Sequence, residues 1–244
     1  MKEPLDTAIL KRISDFDVPT ISNAVEFFSV RPKTEGFMGP QIRAMLHPGR
    51  TVVGYAATAR ISATQPATEP QKSLLGQHYR SVRDTLKPTL AVIQDTDPQP
   101  VGSFWGEVHA TVHKALGCVA AITNGGVRDL DEVRSLGFGY YATCTLVSHA
   151  NVHLEEVGCP VTVGGLTVMP GDLLAADQHG VILIPNEIAA HLPDACEYAG
   201  KAEQPVLGPC REHLEAGQLV DPEDLVRWRA EMVRLRGSFP LPSG

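Results

Sequence analysis

The sequence predicts an α/β fold, and two patterns carry that prediction. Between residues 72 and 147 helical and strand-like segments alternate, which is how a sheet covered by helices is built. From residue 158 the texture changes to short apolar runs at 160–163, 166–168, 173–176 and 181–184, separated by Gly164-Gly165, Pro170-Gly171 and Gln178-His179-Gly180. Those turns are too close together for intervening helices, so these strands should be antiparallel or mixed. With 244 residues the chain can bury a sizeable core, and without a linker, repeat or low-complexity tract it reads as one domain over 1–244.

In chain order, residues 5–30 read as helical, with Ile9, Ile13 and Phe16 on one face. A second start lies at Pro19-Thr20, with Ser22 and Asn23 as cap-type residues. After the His47-Pro48-Gly49 turn, residues 49–61 are small and β-branched and read as a strand. Residues 72–86 suit a helix, and 89–93 a short buried strand. Ser103 is expected to open a helix whose apolar positions are Phe104, Val108, Val112 and Ala115, closed by Gly117. A strand over 118–123 follows, then the Gly125-Gly126 break, a short helix near 129–136 closed by Gly137, and a strand near 140–147. The tail from 186 is helical, interrupted by Pro193, Pro205 and Pro209, and 225–235 is amphipathic.

Composition narrows the function classes. With 21 Lys+Arg against 28 Asp+Glu, the net charge of −7 argues against nucleic acid or an anionic membrane as partner. Five cysteines (Cys118, Cys144, Cys159, Cys196 and Cys210) without C-x-x-C spacing suit reduced thiols. The first 17 residues lack the apolar run of a signal peptide and no segment approaches a membrane span, so the expected setting is cytoplasmic.

The stretch ITNGGVRD, residues 122–129, leaves an apolar strand through two glycines and presents Arg128 beside Asp129. Asp129 with Glu132 three positions on has the form of a capping box. That reading leaves Arg128 and the double glycine unexplained. Upstream, the amides of a helix start near Gly106 could hold a small carboxylate. Glu107 at the same place would repel it, and a divalent cation between the two would remove the conflict. His109 with His113, and His149 with His153 if helical, have the i,i+4 spacing of zinc ligands, but position 110 is alanine where H-E-x-x-H needs glutamate. The sequence holds no G-x-S-x-G elbow, phosphate loop or dinucleotide fingerprint.

The segment WGEVHATVHKALGCVAAITNGGVRDLDEV resembles the core of the RraA-like family, which includes class II pyruvate aldolases that cleave 4-hydroxy-4-methyl-2-oxoglutarate. The family spacing is an acid, twenty residues, Arg-Asp, two residues and a further acid, filled here by Glu107, Arg128, Asp129 and Glu132. VPTISNAVEFF and PVTVGGLTVMPGDLLAADQHGVILIP extend the resemblance over about 18–186, leaving 187–244 as a helical extension.

The resemblance implies an α/β/β/α sandwich like the swivelling phosphohistidine domain, assembled as a homotrimer or homohexamer with sites near subunit interfaces. It implies a lyase that releases pyruvate from a small 2-oxo acid by retro-aldol cleavage and decarboxylates oxaloacetate. Its roles for these residues are a pyruvyl carboxylate on the amides of the turn through Gly106, Glu107, Val108 and His109; Arg128 on the enolate oxygen; and Mg²⁺ or Mn²⁺ on Asp129, with Glu107 binding through the metal's waters. Oxygen ligands suit such hard cations, and a permanent guanidinium charge suits a developing enolate. The chain departs from the aldolase pattern at Asn124, commonly Asp; at His109, commonly aliphatic; and over 141–153. Some members of the family, including a regulator that inhibits a ribonuclease, lack the metal aspartate and bind protein partners instead, whereas this chain retains it as Asp129.

Overall fold

The computed structural model describes residues 4–241. It begins with helices α1 (Thr7–Ser14) and α2 (Val18–Glu26) and strands β1 (Arg43–Leu46) and β2 (Val52–Ser62). Helices α3 (Glu69–Lys72) and α4 (Leu74–Asp84) lead to β3 (Thr89–Asp95), α5 (Glu107–Ala115) and β4 (Cys118–Thr123). Next come β5 (Gly126–Val127), α6 (Leu130–Ser135), β6 (Gly139–Ala142) and β7 (Cys144–Thr145). Strands β8 (His153–Val157), β9 (Val161–Val163), β10 (Leu166–Val168), β11 (Leu173–Asp177) and β12 (Gly180–Ile184) follow. Helices α7 (Leu192–Glu215) and α8 (Pro222–Arg236) end the described chain.

One eight-stranded mixed sheet runs β1-β6-β4-β3-β2-β11-β12, with β8 also on β2. Strands β2, β3, β4 and β6 are parallel, as the alternation of helix and strand requires, while β11–β12 and β9–β10 are the expected antiparallel hairpins. The long strand β2 belongs to both halves of a curled sheet. Its Ala57, Ala59 and Ile61 pack with Val82, Phe104, Trp105 and Ala110 of the α4–α5 side. Its Val53 and Tyr55 pack instead with Leu10, Ile21 and Ala195 of α1, α2 and α7. Between these outer layers, Val52 and Ala56 join Val92, Ile122 and Tyr141 against Val161, Val163 and Leu174. The sheet thus faces itself inside and helices outside, which is the α/β/β/α arrangement. At Gly54 a Cβ would stand 2.7 Å from Pro88 O, so the curl admits no side chain there.

Four local expectations are corrected. Ser22 and Asn23 lie inside α2; its cap is Asp17, which accepts from Thr20 N at 2.8 Å. Helix α5 starts at Glu107 rather than Ser103, and buries Ala110 and His113 while Val108 is 72% exposed. Pro205 and Pro209 do not interrupt α7, which runs 24 residues through both, with Pro193 near its start. The amides lost at Pro205 and Pro209 face the carbonyls of Lys201 and Pro205 beyond the deeply buried first half of α7, where solvent reaches the helix. Residues 149–153 are not helical, so His149 and His153 share no helix face. Among the described residues no helix is long and apolar enough to cross a membrane.

Candidate active site

Strands β3 and β4 end side by side, and the loops that follow them build the site. At the strand ends the Asn124 side chain accepts from Asp95 N and donates to Asp95 O, both at 2.8 Å. An amide both accepts and donates, so Asn124 locks the two strand ends together in a way that an ionised aspartate does not. Asp95 is 2% exposed, and burial raises its carboxyl to about 6. Thr143 Oγ1 lies 3.0 Å from Asn124 O and 2.9 Å from Gly125 O, fixing the next step of the loop. Ser103, expected to cap a helix, instead places its Oγ 2.7 Å from Trp105 O and 2.9 Å from Gly126 O. This hydroxyl ties the loop before α5 to the loop after β4, and Arg128 N donates to Trp105 O at 2.9 Å to complete the seam.

The seam brings Arg128 and Asp129 to the start of α5. Asp129 has φ 57°, ψ 47°, the left-handed region that aspartate tolerates better than most side chains. In that conformation its carboxylate does not cap α6, so the capping-box reading with Glu132 fails. Instead Asp129 Oδ2 accepts from Glu107 N at 2.9 Å, across 22 residues of sequence. Helix α5 has glycine at its N-cap and no cap from that residue's own side chain, so its first amide takes Asp129 in its place. Gly106 is required by this approach: a Cβ there would stand 2.5 Å from Asp129 Oδ2 and 3.1 Å from Arg128 Nε.

Arg128 Nε lies 3.7 Å from Asp129 Oδ2, with both side chains about one-third exposed. Its Nη1 is 3.4 Å from Val147 O, on the loop after β7. Tyr140 Oη donates to Gly106 O at 3.2 Å, and burial, with the Asp129 charge adding, pushes its phenol up. Tyr140 escapes sequence reasoning because it sits within a strand like any core aromatic.

The site residues expected from sequence therefore separate into two groups. Gly106, Glu107, Arg128 and Asp129 come together. Of the turn amides, Glu107 N is already engaged by Asp129, while those of Val108 and His109 belong to the first turn of α5 and have no intrahelical partner. The His109 ring turns away, lying 4.1 Å from the Phe104 ring at 31°, and burial lowers its pKa. The zinc spacing of His109 and His113 is not used: His113 Nε2 lies 2.8 Å from His78 Nε2 instead. Among the described residues, no group of three or more His, Cys, Asp or Glu is arranged to hold a metal. Asp129 with the exposed Glu107 suits a hard cation that keeps most of its waters, and Asp129 Oδ1 has no hydrogen-bond partner among the described residues.

A family model described as RraA-like, Aldolase/RraA, matches residues 18–183, most of the chain and all of this site. The chain belongs to the RraA-like family. Among its relatives, Protein DlpA of Legionella pneumophila is 31% identical over 100 residues, 39% of this chain and 16% of that protein. A putative 4-hydroxy-4-methyl-2-oxoglutarate aldolase of Halalkalibacterium halodurans is 24% identical over 136 residues, 55% of this chain and 60% of the relative. The chain thus matches less than two thirds of the length of either. Among solved structures, a Streptomyces coelicolor protein described as an unusual member of the RNase ES inhibitor RraA family superposes with a TM-score of 0.66 at 20% identity, covering 84% of this chain and 98% of the other. That likeness establishes the RraA-like fold.

Proposed function

We propose that this RraA-like chain is a divalent-metal-dependent carbon–carbon lyase that cleaves a 4-hydroxy-2-oxo acid of the 4-hydroxy-4-methyl-2-oxoglutarate type to pyruvate, and also decarboxylates oxaloacetate. The observation that carries the reading is the contact of Asp129 with Glu107 N at 2.9 Å, which sets two carboxylates and Arg128 at one helix start. Two negative side chains against one guanidinium leave the cluster one charge short of balance. A cation there offsets the surplus and draws in a substrate carboxylate that the acids alone repel.

Asp129 would hold Mg²⁺ or Mn²⁺, with Glu107 binding through its waters; the metal would supply positive charge to the oxygen on which the enolate develops. The chain's own residues do the rest. The Val108 and His109 amides orient the pyruvyl carboxylate at the positive end of α5. Arg128, held by its backbone amide on Trp105 O, faces the carbonyl oxygen with its guanidinium charge. Assembly as a homotrimer or homohexamer belongs to the same reading. Val108 at 72% and Val147 at 95% exposure flank the site, and a second copy over them would exclude water from the enolate.

The test is metal-replete decarboxylation of oxaloacetate, together with exchange of the pyruvate methyl protons, which needs only the enolate. The expected result is a protein-dependent rate above that of free Mg²⁺ or Mn²⁺, lost with EDTA and inhibited by oxalate. Absence of both reactions, with a stable complex to a ribonuclease or other protein, would replace the lyase by the regulator.

A further inference from the structure

The i,i+4 histidines are absorbed neither by a zinc site nor by the lyase chemistry, and their surroundings assign them another task. His78 on α4 and His113 on α5 are each 0% exposed, and their Nε2 atoms lie 2.8 Å apart. Two bare nitrogens at that distance repel, so one carries the proton. The direction follows from the other end of the chain. His113 Nδ1 is 2.7 Å from His109 O, and a carbonyl can only accept. His113 therefore bears its proton on Nδ1 and presents Nε2 as an acceptor, which makes His78 the Nε2–H tautomer and leaves His78 Nδ1 bare. That atom is buried and has no hydrogen-bond partner among the described residues, so no acceptor there calls for a proton on Nδ1.

We propose that His78 is a positioning residue for the candidate active site, donating from Nε2 to His113 and through it fixing the first turn of α5. His109, whose carbonyl ends the chain, is in that turn, and its amide is one of the expected carboxylate donors. The same rings hold the wall before the site: Phe104 stands edge-on to His78 at 6.0 Å, and Trp105 packs 4.6 Å from His113. Tyr79 at 6.0 Å and the His109 ring at 5.9 Å are the other titratable groups facing His113. Both histidines are held neutral by burial, consistent with a proton-ordered tether rather than an ion pair.

The functional half of this proposal rests on the lyase reading, whereas the tautomers and the tether do not. Long-range ¹H–¹⁵N correlation spectra of the intact chain near neutral pH should show His113 protonated on Nδ1 and His78 on Nε2; the opposite pair, or a doubly protonated ring, overturns it. His78→Gln keeps a donor and His78→Leu removes it. In His78→Leu, kcat for metal-dependent oxaloacetate decarboxylation should fall on the order of tenfold with KM little changed, and His78→Gln should restore most of it. Exchange of the Ala110 amide, bonded to Gly106 O at 3.0 Å, reads the same tether without any activity. It should quicken about tenfold in His78→Leu but not in His78→Gln. Equal exchange in all three proteins overturns the positioning role even if the lyase reading stands. If His78→Leu does not fold, His78→Phe, which keeps a ring without the donor, takes its place in the kinetic and exchange measurements.

Discussion

Helices α1, α2 and α8 begin alike, and α5 does not. Asp6, Asp17 and Asp221 each cap the helix they precede, accepting from an amide two or three residues on at 2.8–2.9 Å. Helix α5 opens on Gly106 and takes its carboxylate from Asp129, while α6, which Asp129 does precede, goes without a side-chain cap from it. Satisfying α6 locally would have been simpler, and the backbone instead holds Asp129 in a left-handed conformation that costs roughly 1–2 kcal/mol. A carboxylate withheld from its own helix and delivered to another is what a ligand site needs. The three local caps need only their own helices.

Substitution at Asp129 tests that contrast most strongly. Asparagine tolerates the left-handed conformation and can still accept from Glu107 N, so Asp129→Asn should cost no more than a lost cap, about 0.5–2 kcal/mol in denaturant unfolding. Under the proposed lyase reading turnover should nevertheless fall on the order of 10³-fold, because the charge proposed to hold the metal is gone. Normal metal-dependent turnover would make Asp129 a structural cap after all. Arg128→Lys comes next: charge is kept and the planar fork lost, for a fall of about 10²-fold in kcat with the fold intact by circular dichroism.

Acid tests the other polar device of the α5 region. Burial lowers His78 to about 4 and His113 to about 3, below the ordinary histidine value. The folded chain therefore binds fewer protons than the unfolded chain over this range. The stability they contribute is present above about pH 6.5 and is lost as pH falls from there toward 4 and then 3, at most about 1.4 kcal/mol per pH unit for each ring. Urea midpoints measured from pH 7 to 4 should fall more steeply for the parent than for His78→Gln. Parallel curves would remove the pair from the acid response.

These contrasts also mark how far the sequence could be read. The Gly-, Pro- and Asp-rich turns place β9 to β12 within a residue or two, because hairpin geometry is set by neighbours in the chain. The family spacing singles out Arg128, Asp129 and Glu107, and the geometry brings them together. What Asp129 caps could not be read, since a partner 22 residues away leaves no local signal. His78 was invisible for the same reason, 35 residues from His113. Ser103 misled because a serine before an apolar run has the form of a helix cap, while its hydroxyl is taken by carbonyls on either side of a loop seam.

The smallest expected effect separates one local cap from another. Asp17 opens α2, whose Val18, Ile21, Ala24 and Val25 are buried in the core against α7 and β12. Fraying that helix exposes apolar surface, so Asp17→Ala should lower global stability by about 1 kcal/mol. Asp221 caps α8, which has no fully buried residue and leans on α7 through contacts such as Tyr198 Oη to Leu235 O and Arg236 to Glu203. Loss of its cap can be absorbed by local opening of the first turn without disturbing the sheet. Asp221→Ala should therefore leave the urea midpoint within about 0.5 kcal/mol of the parent while amide exchange quickens at Leu225, bonded to Asp221 O at 3.3 Å. Neither change should touch lyase turnover, because neither carboxylate has been lent to another helix. A global loss in Asp221→Ala equal to that of Asp17→Ala would show α8 to be part of the cooperative core, and the ranking of the caps would then rest on their sequence positions alone.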